Sequence, residues 1–194
     1  MCFRVCGLWQ TARAAHGGAQ PPHSFSITMP QVLVNFEVPT ALTDWSTVDD
    51  VVMGGVSSSR VEHHPDGFAV FEGVVSLENN GGFCSLRSGR LPERPLAAEV
   101  FVLHVRGDGK NYKLNLRAEG VFDGVSYQAQ FHAPADEWTE VRLPVSEFLP
   151  TYRGRPVHGL EPLDPYRTTH ITVIIADRQE GPFRLALRSL HCGT

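Results

Sequence analysis

The sequence predicts an all-β fold, a β-sandwich of jelly-roll type, and three observations lead there. Apolar and polar residues alternate with period two in segment after segment from Gln31 onward, the pattern of strands with one buried face. The connections between these segments are rich in Gly and Pro, which terminate strands and set turns. No stretch of ten or more residues carries helical periodicity, so no helix of ordinary length is expected.

Taken in order, Val32, Val34 and Phe36 alternate with Leu33, Asn35 and Glu37. Phe68 to Leu77 is rich in Val and Phe, and Ala97 to Arg106 is a further apolar run. From Asn111 to Glu119, Tyr112, Leu114, Leu116 and Ala118 oppose Lys113, Asn115 and Arg117. From Val125 to Ala133, Val125, Tyr127, Ala129 and Phe131 oppose Ser126, Gln128, Gln130 and His132. Trp138 to Leu143, His170 to Ala176 and Phe183 to Cys192, with the strand-like stretch around Cys84, complete a set of about nine expected strands. Gly107-Asp108-Gly109 and Gly120 to Gly124 read as two short hairpin loops. Val145 to Phe148, after Pro144, fits one short helical turn. Two longer connections remain, Ser88 to Leu96 and Leu149 to Tyr166, the second with four prolines and with Arg153 and Arg155. A loop of that length is either functional or a cover over a sheet edge.

With 194 residues, 42 % apolar and 20 % charged, the chain has the composition of a globular protein with a real core. Net charge is −4 and no basic run occurs, which argues against a nucleic-acid partner. No apolar stretch is long enough for a membrane-spanning helix. Cys2, Cys6, Cys84 and Cys192 have neither zinc-site nor disulfide-framework spacing, so free thiols are expected. Residues 1–30 stand apart: they contain Arg4 and Arg13, several Gly and Pro, and no acid before Glu37. This composition fits a disordered extension, an upstream start in place of Met29, or a transit peptide. The domain itself is expected to span 31–194.

Two segments pair glycines with acid or amide residues. One is Trp45 to Ser59, holding Asp49, Asp50, Met53, Gly54, Gly55 and Ser57; the other is Asn79 to Arg87, holding Asn80, Gly81, Gly82 and Phe83. Paired glycines permit tight or left-handed backbone, and Asp or Asn can hold a turn through its side chain. No catalytic set attaches to them. There is no H-E-x-x-H, G-x-S-x-G or P-loop. Asp49 and Asp50 would point to opposite faces of a strand, and no His stands beside Ser57, Ser58 or Ser59 as a base. His63 and His64 precede a Pro-Asp-Gly turn and read as solvated. His104 and His132 lie on polar strand faces and could meet across the sheet, but no third ligand has suitable spacing. No metal or cofactor is therefore implied, and the chain reads as non-enzymatic. Lys113, Asn115, Arg117, Ser126, Gln128, Gln130 and His132 would share one polar sheet face. That face is either plain solvent-exposed surface or an array for a hydroxyl-rich ligand.

At the level of motifs the chain resembles the complex I intermediate-associated protein 30 family. The matching residues are Trp45 with Asp50, Met53-Gly54-Gly55 and Ser57; Phe71-Glu72-Gly73; Leu77 to Phe83 with Ser85 and Arg87; Trp138 to Pro144 with Phe148 and Arg153-Gly154-Arg155; and Ile175-Ala176-Asp177 with Gln179, Gly181-Pro182-Phe183 and Leu185. The resemblance spans about 31–192 and implies a galactose-binding-domain-like jelly roll. It also implies an assembly-factor or chaperone role, binding respiratory complex I subunits or assembly intermediates. The short chain is closer to stand-alone members, which implies a cytoplasmic location if bacterial and a mitochondrial one otherwise. The expected binding residues are Asp50, Met53, Gly54, Gly55, Ser57, Asn80, Gly81, Gly82, Phe83 and Arg87. Asp50 and Asn80 would hold the loops, Met53 and Phe83 would supply apolar contact, and Arg87 would supply charge. The same residues could instead serve only to lock the loops for folding. A carbohydrate-binding module is the alternative function.

Overall fold

A computed structural model describes residues 30–96, 98–121 and 124–194. Its strands are β1 (Gln31–Asn35), β2 (Ser46–Asp49), β3 (Ser58–His64), β4 (Phe68–Val75), β5 (Cys84–Arg87), β6 (Val100–Arg106), β7 (Asn111–Ala118), β8 (Val125–His132), β9 (Trp138–Pro144), β10 (Leu149–Tyr152), β11 (Arg155–Pro156), β12 (Thr168–Ile175) and β13 (Gly181–Gly193). Helical structure among the described residues is limited to short 3-10 turns, including Asp50–Met53, Glu78–Asn80 and Val145–Glu147.

Two antiparallel sheets stack face to face. One runs β3-β4-β13-β6-β9, with β1 also on β13; the other runs β11-β10-β8-β7-β12-β5-β2. The long β13 is the spine of the first sheet. It pairs with β4 over Gly181–Leu187, with β1 over Ser189–Cys192, and with β6 along its other edge. On β7 and β8 the inward residues are those that alternation marks, whereas on β1 a register shift between Val32 and Val34 leaves Val32 exposed and packs Leu33 on the core. Tyr112, Leu114 and Leu116 on β7 are fully buried, and they share one core with Phe71, Phe101, Leu103, Leu185 and Leu187 of the opposite sheet. Burial of this kind contributes roughly 1.5–3 kcal/mol per large apolar side chain, and it fixes the register of every strand with a dry face.

Several expectations change. Gly107-Asp108-Gly109 is not a hairpin, because β6 and β7 lie in different sheets. The turn is a crossover, held by N–H bonds from Gly107 to Pro134 O and from Gly109 to Ala133 O. The Asp108 carboxylate accepts from Lys110 N–H, the Tyr112 hydroxyl and Arg184 N–H. A tight Gly-Asp-Gly turn looks the same in sequence whether the chain returns within a sheet or crosses to another. The β7–β8 connection is a hairpin, with residues 122 and 123 of its loop outside the described set. His104 and His132 cannot meet, since β6 and β8 belong to opposite sheets. His63 and His64 are partly buried: His63 Nε2 lies 3.0 Å from Phe36 O, and His64 stacks on Phe68 with centroids 4.4 Å apart. The connection 149–166 contains β10 and β11, which extend the second sheet beyond β8. The N-terminal expectations, with Cys2 and Cys6, fall outside the described residues.

Candidate functional site

The two glycine-paired segments meet around one carboxylate. Asp50 begins the 3-10 turn after β2, and its exposure is 0 %. Its Oδ1 accepts from Ser57 N–H at 3.0 Å. Its Oδ2 accepts from the Ser57 hydroxyl at 2.5 Å, Gly82 N–H at 2.6 Å and Phe83 N–H at 3.2 Å. The Asp50 backbone N–H in turn donates to Phe83 O. One side chain thus ties the segment after β2 to the segment before β5, 32 residues on.

The glycines make room for this carboxylate. A Cβ on Gly55 would stand 2.2 Å from Asp50 Oδ1, and one on Gly81 would stand 2.5 Å from Oδ2. Gly54 closes the turn at φ +93°, in the left-handed region, with its N–H bonded to Val51 O. Burial works against the ionised form of Asp50. The Ser57 hydroxyl and the Gly82, Ser57 and Phe83 N–H groups outweigh it and hold the carboxyl below its ordinary range. Ser57 is equally enclosed; its Oγ also accepts from Ser76 N–H at 2.9 Å. The neighbouring carboxylate repeats the device. Asp49 accepts from Ser59 N–H at 2.8 Å and from the Ser59 hydroxyl at 2.5 Å. The adjacent acids Asp49 and Asp50 therefore bind the alternate serines Ser59 and Ser57. Both groups are visible in the sequence but their pairing is not, and only the 7-residue separation of Asp50 and Ser57 across a turn hints at it.

The outside of the loop is apolar. Val51, Val52, Met53 and Val56 are 60 %, 73 %, 65 % and 49 % exposed, while Asp50 and Ser57 around them are buried. The usual order of polar outside and apolar inside is reversed over eight residues. Met53 is among the expected site residues and the three valines are not, because a short apolar run in a turn does not reveal which way it faces.

The other expected site residues divide. Phe83 is half-buried and joins through its backbone. Asn80 adopts φ +60° and is exposed, so it contributes a left-handed turn residue beside the cage. Arg87 lies elsewhere. It points outward from β5 in register with Thr172, which pairs with Asn115, which pairs with Gln128. That places Arg87 on the polar face of the second sheet together with Lys113 and Gln130, which are paired across β7 and β8. Arg87 Nε donates to Ser85 Oγ at 3.3 Å, and Lys113 pairs with Asp177 at 2.6 Å. Asn115 donates to Ser126 Oγ at 3.2 Å, while its buried Oδ1 has no donor among the described residues. The described residues contain no group of three or more His, Cys, Asp or Glu side chains placed to hold a metal.

Comparison with known proteins adds lineage to this geometry. The model of the complex I intermediate-associated protein 30 family matches residues 34–187. The mitochondrial complex I intermediate-associated protein 30 of Drosophila melanogaster is 25 % identical over 93 % of this chain and 68 % of its own length. An uncharacterised protein of Schizosaccharomyces pombe is 29 % identical over 76 % of this chain and 77 % of its own. The mouse mitochondrial complex I intermediate-associated protein 30 is 26 % identical over 81 % of this chain and 54 % of its own. Among solved structures, the family 11 carbohydrate-binding module of a Clostridium thermocellum cellulase superposes with a TM-score of 0.62 at 15 % identity, covering 85 % of this chain and 95 % of that one. That likeness is one of fold, and it makes the sandwich a galactose-binding-like jelly roll.

Proposed function

This chain belongs to the complex I intermediate-associated protein 30 family, and from that premise we propose that it is a non-enzymatic protein-binding module. Its partners are respiratory complex I subunits or assembly intermediates, in the mitochondrion. The names of the Drosophila and mouse relatives support both the partner and the compartment. No described helix is long and apolar enough to cross a membrane.

The observation that carries the reading is the reversed loop. Asp50 clamps the turn from within, and Val51, Val52, Met53 and Val56 form an apolar crown outside. Apolar side chains on a fixed turn lose little conformational freedom on binding and can be buried at the centre of an interface. Phe83 and Asn80 belong to the second loop, which Asp50 ties to this turn. The Asp50–Ser57 pair takes no part in chemistry here: both side chains are enclosed and satisfied by one another and by backbone groups. The test is co-purification of complex I subunits with the native protein and with Val52→Asp and Met53→Asp. Both exposed substitutions should leave stability within about 0.5 kcal/mol while abolishing capture. Full capture by both variants would remove the crown from the interface.

A second reading, carbohydrate binding, is favoured by the polar face on β7 and β8, where Lys113 and Asn115 stand opposite Gln130 and Gln128. A glycan array decides it, and no binding at millimolar sugar would end this reading.

A further inference from the structure

The outer face of the first sheet carries two guanidinium groups on one indole. Arg188 Cζ lies 4.2 Å from the Trp138 ring centroid, and Arg106 Cζ lies 5.1 Å from the same centroid and 5.2 Å from that of Phe68. Arg106 is directly opposite Trp138 in the β6–β9 register. Arg188 sits in the bulge where β13 slips against β6, between Leu187 and Ser189. A bulge re-aims a side chain, and here it brings Arg188 to the indole.

Four other arginines of the described surface have carboxylate partners. Arg60 pairs with Glu62 and Glu72, Arg184 with Glu72, and Arg90 and Arg94 with Glu119. Neither guanidinium, of Arg106 or of Arg188, has an ion pair or hydrogen bond among the described residues, and Arg188 Nε is buried without an acceptor. Two like charges thus lie within 5.1 Å of one ring centroid in a protein whose net charge is −4. His104, whose ring centroid is 5.1 Å from that of Trp138, feels the result. Burial first, and the Arg188 charge second, keep its pKa below the usual histidine value despite Glu140 and Glu37 nearby.

We propose that Arg106 and Arg188, pre-organised on Trp138, form a binding site for the phosphate group of a phosphate-bearing ligand. The guanidinium fork matches phosphate oxygens in pairs, and aromatic stacking fixes its plane before the ligand arrives. An oxyanion would supply the counter-charge that neither guanidinium has among the described residues. This site is on the sheet opposite the polar face and is independent of the apolar crown.

The experiment follows the Trp138 indole N–H and the arginine Nε–H resonances of the intact chain by NMR. Inorganic phosphate or pyrophosphate is titrated at constant ionic strength. A second arm measures sedimentation with phosphatidylcholine vesicles, with and without phosphatidic acid, which separates a soluble phosphate from a lipid headgroup. Saturable shifts at Trp138 and both arginines, or binding only to the phosphatidic acid vesicles, are expected. Arg106→Lys and Arg188→Lys keep the charge but lose the fork. Each should weaken binding at least about tenfold, the scale of one charge-assisted hydrogen bond, with thermal melting showing that each variant is folded. Arg184→Ala, which removes a carboxylate-paired arginine of the same sheet, should bind as the unaltered chain does. Absence of a saturable response in both arms overturns the proposal. So does binding unaffected by both lysine variants, or weakened equally by Arg184→Ala.

Discussion

At Asp50 burial opposes ionisation, and four hydrogen bonds outweigh it. The sign of the resulting pH dependence follows. A carboxyl held lower in the folded chain than in the unfolded one stabilises the fold above the unfolded value, about 3.9. That contribution is lost as pH falls through the folded value. Asp50→Asn keeps the shape but turns one acceptor into a donor facing donors, and it should cost about 2–4 kcal/mol at neutral pH. Urea unfolding from pH 7 down to pH 3 checks both points: the gap between the two proteins should narrow as the pH drops below about 4. A gap constant with pH would mean that the charge on Asp50 contributes nothing. The candidate residues were legible one by one, since Asp, Gly and Ser in such a cluster announce a constrained turn. What sequence could not show is that Asp50 reaches Gly82, because the bond joins loops far apart in the chain.

Among the elements, the turn Asp50–Gly55 separates two reasons for glycine. Gly54 needs its left-handed backbone but has nothing within 4 Å of a would-be Cβ. Gly55 has no such φ, yet its Cβ would collide with the Asp50 carboxylate. Gly54→Ala should therefore cost about 1–2 kcal/mol, and Gly55→Ala about 3 kcal/mol or more by overpacking a satisfied buried group. Denaturant titration of the two variants ranks them, and the reverse order would contradict the cage. Among the strands, β7 and β8 were readable because each has one dry face and one wet face, so alternation marks every residue. The short β2, β10 and β11 were not. They are four or fewer residues long and belong to the rim of their sheet, where edge position and prolines suppress the pattern. The link 149–166 thus looked like loop, although part of it covers the edge beyond β8.

Across the whole molecule, the two sheets share one core that encloses Cys84 and Cys192. Burial, with the Asp49 charge beside it, pushes the Cys84 thiol up to about 12, and burial also raises Cys192. Both thiols are reached from solvent only when the sandwich opens, so iodoacetamide at pH 8 should leave both unmodified in the native protein. Peptide mapping after labelling with and without urea checks this, and rapid native labelling of Cys84 would contradict its place in the core. Alternation, turn residues and composition determined by themselves that this chain is an all-β sandwich with two constrained glycine loops, because strand period and turn chemistry are local properties. Tertiary structure alone decided that Gly107 to Gly109 crosses between sheets, that Asp50 points inward while Val51, Val52 and Met53 point outward, and that Arg106 and Arg188 share Trp138. Each of these depends on which distant residues become neighbours, and that is settled by the packing of two sheets around a common core.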